Sequence, residues 1–161
     1  MSLSDKSEIR QLIGDQFAAL NWSPDRDPVF TKFEQGFIDD AILIPARRPA
    51  KIQSIAAFLA RMTRLRDEGT LTSFSETGSP ALVQVFENVG IAVAGCEMLE
   101  NGTNTSHDVS VFLFVKDRGQ WKIAAQAWDA TSESDIDSNL DPDEDWPGAS
   151  AWDDRGAKGE V

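Results

Sequence analysis

Residues 105–131, TSHDVSVFLFVKDRGQWKIAAQAWDAT, constrain the fold more than any other stretch of the chain. Two runs of β-branched and aromatic residues flank Asp117-Arg118-Gly119, and Gly119 supplies the left-handed backbone that a tight hairpin loop demands. A three-residue loop closed by a bulge at Gly119 pairs Val115 with Trp121, Leu113 with Ile123, Val111 with Ala125, Val109 with Ala127 and His107 with Asp129. Eight of these ten side chains are apolar, and the two polar ones meet at the open end of the hairpin. Alternation sends Asp108, Ser110, Phe112, Phe114, Lys122, Gln126 and Trp128 to the other face. The pairing depends on loop length, because one residue of slip exchanges the two faces.

The chain ahead of this hairpin reads as three helices and further strands. Ile9, Leu12, Ile13, Phe17 and Leu20 recur at helical spacing after an Asp5–Glu8 capping pattern. Asp27-Pro28 opens a short second helix carrying Phe30, Phe33 and Phe37, and Asp39-Asp40 is read as a turn before a buried strand over 41–44. A third helix spans 51–68, with Ile52, Ile55, Ala56, Leu59 and Met62 inward and Phe58 and Leu65 widening the stripe. Strands follow at roughly 70–77, 81–87, 89–99, 105–116 and 120–131. At Asn101-Gly102, a two-residue turn places Ala92, Ala94, Cys96 and Met98 beside the His107 face, whereas one more loop residue places Ile91, Val93 and Glu97 there. Three helices before a long, mainly antiparallel sheet make an α+β layout. Helices on the concave side of a curved sheet leave a conical pocket, a common ligand site.

Charge separates the chain into two parts. Residues 132–161 hold ten acids against two bases, −8 of the net −12. We therefore expect one folded domain over 1–131 and an acidic C-terminal extension over 132–161, either docked on the body through Trp146 and Trp152 or a free solubilising extension. The negative charge argues against a nucleic-acid partner. No apolar run reaches transmembrane length and the N-terminus has no signal-peptide pattern, so a cytoplasmic protein without a membrane partner is expected. The single cysteine, Cys96, rules out an internal disulfide and a cysteine-built metal site. No cofactor is expected.

The order of elements, together with Phe37-Ile-Asp-Asp-Ala41, the helix over 51–66 and Val115-Lys-Asp-Arg-Gly-Gln-Trp-Lys-Ile123, resembles the nuclear transport factor 2-like superfamily and its SnoaL-like group. The resemblance covers about residues 5–131 and implies a cone-shaped α+β barrel. The superfamily includes ketosteroid isomerase, scytalone dehydratase, limonene epoxide hydrolase and polyketide cyclases, and also modules without chemistry. The isomerase-like pattern implies a tyrosine on the first helix, where this chain has Gln16 or Phe17 and no tyrosine anywhere. The isomerase-like base falls on Ile44 or Pro45. The dehydratase-like pattern implies a histidine in the cone, for which His107 is the one candidate.

His107 and Asp129 are thus the candidate catalytic pair, since a carboxylate beside an imidazole tunes it for proton transfer. The plain alternative is a partly solvated ion pair at the strand end. Gln16, Phe17, Trp121 and Glu97 are candidate ligand contacts. One histidine and one aspartate are too few ligands for a metal. Phe112, Phe114, Gln126 and Trp128 form an apolar patch expected to face a second copy in a homodimer. Arg47, Arg48, Lys51, Arg61, Arg64 and Arg66 form a basic cluster that is either a solvated helix face or the rim of the pocket. Two function classes follow. One is an isomerase-, dehydratase-, cyclase- or hydrolase-type enzyme acting on a small apolar carbonyl or hydroxyl compound. The other is a binding or dimerisation module without turnover.

Overall fold

The computed structural model describes residues 3–46, 49–79, 81–133 and 135. Helix α1 (Leu3–Ala19) buries Ile9, Ile13 and Phe17 as its spacing dictates. Helix α2 (Phe30–Gln35) starts after Val29 without a side-chain cap and buries Phe33. Strand β1 (Phe37–Pro45) absorbs the expected Asp39-Asp40 turn as an irregularity: Asp40 takes φ 60°, and the pairing register shifts between Phe37 and Ile42. A two-residue strand β2 (Gln53–Ser54) precedes α3 (Ile55–Asp67), whose first turn is capped by Ser54 accepting from the Ala57 amide at 3.0 Å. The helix therefore starts later than expected, and Ile52 lies outside it, exposed. Leu59 and Met62 are buried.

The remaining strands are β3 (Phe74–Gly78), β4 (Leu82–Phe86), β5 (Val89–Glu100), β6 (Asn104–Asp117) and β7 (Gln120–Ala130). The open sheet runs β2-β1-β7-β6-β5-β3, with β4 also paired to β5. Among the described residues only β1 and β7 run parallel; the other pairings are antiparallel. Helix α1 packs against β3, β4 and β7, and α3 against β1 and β2, so the main core lies between helices and sheet.

The hairpin register differs from the expected one for two physical reasons. Asp117 pairs with Gln120, leaving a two-residue loop in which Arg118 (φ 51°) and Gly119 (φ 79°) are both left-handed. That is the twist-matched hairpin turn, with arginine in a place that usually holds Asn, Asp or Gly. Further along, Phe114 pairs with Ile123 but Leu113 with Ala125, so Ala124 is the extra residue of a bulge. The bulge restores one face to Trp121, Ile123, Gln126 and Trp128, which strict alternation would divide.

The face that the helices cover is also the opposite of the expected one. Phe112 and Phe114 are fully buried under the helices and Gln126 and Trp128 line the interior, so the patch expected to face a second copy is inside. The exposed face carries Ile91, Val111 and Leu113 instead. At the β5–β6 turn the longer loop is the one formed: Glu100 pairs with Asn104 and Glu97 with His107. The docking expected of Trp146 and Trp152 lies outside the described residues, as do Arg47 and Arg48.

Candidate functional site

Between α1, α3 and the sheet lies a cavity of about 150 Å³. Its walls are mostly apolar. Phe17 and Leu20 come from α1, Phe33 from α2, Phe58, Met62 and Leu65 from α3, and Phe74, Met98 and Trp128 from the sheet. Aromatic contacts set part of the wall: Phe58 stacks on Phe33 at 5.7 Å and meets the edge of Trp128 at 6.0 Å.

Gln16 reaches the cavity with its amide fixed, Nε2 donating to the Phe33 carbonyl at 2.9 Å. It lies against Gly36, where a Cβ would stand 2.4 Å from the Gln16 amide carbon, so only glycine leaves room for it. Gln126 Nε2 donates to Ser110 Oγ at 3.2 Å, placing a polar pair on the sheet wall. Arg61 and Glu100 also border the cavity.

Two acids enter this apolar space from strands on either side of β5. Glu76 on β3 is opposite Met98, and Asp108 on β6 is opposite Cys96, so both share the inner face with Ser110 and Phe112. Glu76 borders the cavity and is half-buried as a residue, yet its Oε2 is shut off from solvent with no hydrogen-bond partner among the described residues. Burial, reinforced by the negative charge of Asp108, pushes the Glu76 carboxyl up to about 8. At neutral pH it is a carboxylic acid that can donate a proton. Burial first, and then the charges of Glu76 and Asp108, push the Cys96 thiol far above its ordinary range, which makes it unreactive.

The expected site residues divide. Gln16 and Phe17 line the cavity. Trp121 is buried away from it, its Nε1 donating to Asp5 Oδ1 at 3.0 Å beside Lys116, which donates to the same oxygen at 2.9 Å. His107 and Asp129 do not meet: Asp129 pairs with Val109 and turns back to accept from the Ala130 amide at 2.8 Å. His107 stands on the opposite side of β6 from Asp108 and contacts Glu97, Nε2 to Oε2 at 3.1 Å. Two residues of slip, one from the shorter loop and one from the bulge, separate the expected pair. Glu76 and Asp108 were missed. The signal for Asp108 was its alternation with Ser110, Phe112 and Phe114; for Glu76 it was its alternation with Phe74.

No protein-family model matches the chain, and no curated protein matches it. Solved structures do. A putative scytalone dehydratase from Novosphingobium aromaticivorans is 17% identical, with 81% of this chain and 86% of that one covered at a TM-score of 0.63. Hexachlorocyclohexane dehydrochlorinase LinA-type3 from Novosphingobium barchaimii is 15% identical, covering 81% and 88% at 0.64. A nuclear transport factor 2-like protein of unknown function from Pseudomonas putida is 18% identical, covering 91% and 99% at 0.63. Identities this low bear on architecture alone. The chain has the nuclear transport factor 2-like, cystatin-like α+β fold.

Proposed function

We propose that the cavity binds a small apolar compound bearing a hydroxyl or carbonyl group and that Glu76 and Asp108 transfer protons on it. The observation that carries this reading is the Glu76 carboxyl, its Oε2 shut off from solvent and its proton affinity raised by burial, sharing a mostly apolar cavity with a second acid, Asp108. In an elimination, Asp108 takes a proton from carbon and the C–H electron pair becomes the new double bond. The departing hydroxyl takes its electron pair and the Glu76 proton, and leaves as water. Asp108 then returns its proton to Glu76. An isomerisation uses the same pair to move one proton between two carbons. Elimination is also the chemistry named by dehydratase and dehydrochlorinase among the fold neighbours.

The test is turnover of a panel of apolar hydroxyl and carbonyl compounds, followed by mass spectrometry, with binding read separately by thermal shift. Glu76→Gln keeps the shape and removes the proton, so turnover should fall by about 10²–10⁴-fold while ligand-induced stabilisation persists. Undiminished turnover in both Glu76→Gln and Asp108→Asn would overturn the assignment. Binding without turnover is the second reading. It is favoured by the absence of tyrosine from the chain and by the position of His107 outside the cavity.

The homodimer proposal moves with the reversed faces: a second copy would meet the exposed strip of Ile91, Val111 and Leu113 rather than Phe112 and Trp128.

A further inference from the structure

We propose that Glu97, His107 and Glu133 form a binding site for a divalent transition-metal ion of the Zn²⁺ class, separate from the apolar cavity. Glu97 and His107 are direct cross-strand partners on β5 and β6, which fixes two donors on the most extensively paired part of the sheet. Glu133 arrives from the chain just beyond β7. One donor atom from each of the three lies within 4.8 Å of the others, and His107 Nε2 is 3.1 Å from Glu97 Oε2. Donors bonded at about 2.0–2.2 Å to one tetrahedral ion stand at this kind of separation.

The third donor is held near the first two by the backbone. The Thr131 amide donates to the His107 carbonyl at 3.0 Å, tying the chain to that histidine two residues before Glu133. The His107 side chain is only 18% exposed, so its ring has a restricted orientation. Glu97 and Glu133 are exposed, which leaves a way in for a hydrated ion and room for water to complete the shell.

The donor set selects the metal class. One imidazole nitrogen with two carboxylate oxygens suits zinc and its transition-metal neighbours, whereas magnesium and calcium prefer oxygen alone. Two carboxylates balance the dication, and a chain of net charge −12 concentrates cations around it. Counting one histidine and one aspartate in the sequence pointed away from a metal; the observed register replaces Asp129 with Glu97 and brings in Glu133.

The test is titration of ZnCl₂ into the metal-stripped full chain, by calorimetry and by proton NMR of the single imidazole. The expected result is one ion per chain with the His107 ring signals moving to saturation at the same stoichiometry. His107→Gln should abolish that binding, and Glu97→Gln and Glu133→Gln should each weaken it by about tenfold or more. Glu133 is exposed beyond the last strand, so its variant keeps the fold. No binding, binding unchanged in His107→Gln or Glu133→Gln, or tighter binding of Mg²⁺ than of Zn²⁺ would each overturn the proposal.

Discussion

Glu76 shows how position rather than residue type sets the proton affinity of a carboxyl. The same carboxyl in water titrates at 4.5; inside the cavity, burial and the Asp108 charge move it to about 8. The direction of the shift fixes its effect on stability. Below pH 4.5 both folded and unfolded chains hold the proton. Between 4.5 and 8 the unfolded chain releases it and the folded chain keeps it, so rising pH destabilises the fold. Above 8 both are ionised and the loss is complete. Within that window the slope is at most about 1.4 kcal/mol per pH unit. Urea denaturation from pH 5 to 8 should therefore show stability falling more steeply in wild type than in Glu76→Gln. Parallel curves would mean that Glu76 titrates as an ordinary surface acid.

At the scale of elements, the parts that local physics decides were legible. The α1 stripe Ile9, Ile13 and Phe17 is buried as its spacing requires, and the five strands from β3 onward lie close to their expected ranges. Register was less legible, because it depends on loop length and on bulges, and so was the covered face, because β6 carries apolar residues on both sides. Gly119 signals a turn, but nothing nearby signals that Arg118 also adopts a positive φ and shortens the loop. Ala124 carries no mark of a bulge, yet its extra residue brings Gln126 and Trp128 inward. Gln16 and Phe17 on the helix accordingly face the cavity, and Phe112 and Trp128 on the sheet, expected outside, lie on the inner face. Glu76 alternates with the buried Phe74, but that local sign competes with the desolvation cost of an inward acid, and the fold around it decides the outcome.

At the scale of the molecule, the sheet divides two environments. Its inner face, with the helices, encloses the cavity; its outer face exposes Val111 and Leu113 at 49% and 45%. Ile91 stands directly opposite Leu113, so these side chains form a continuous strip across β5 and β6. If a second copy covers the strip, sedimentation equilibrium will give twice the chain mass of 17.7 kDa, and a Val111→Asp, Leu113→Asp variant will give the single-chain mass. A wild-type protein sedimenting as one chain would contradict that arrangement. Among the described residues, no helix is long and apolar enough to cross a membrane.

If an acid held protonated inside the cavity is the working group, as proposed, the titration of Glu76 itself reveals it. Carboxyl ¹³C NMR of glutamate-labelled protein, with the Glu76 signal assigned by its loss in Glu76→Gln, should give a midpoint near 8. In Asp108→Asn the midpoint should fall only in part, since burial is the larger cause. A midpoint near 4.5 in wild type would rule out Glu76 as the acid, because the cavity would then hold an ordinary ionised carboxylate.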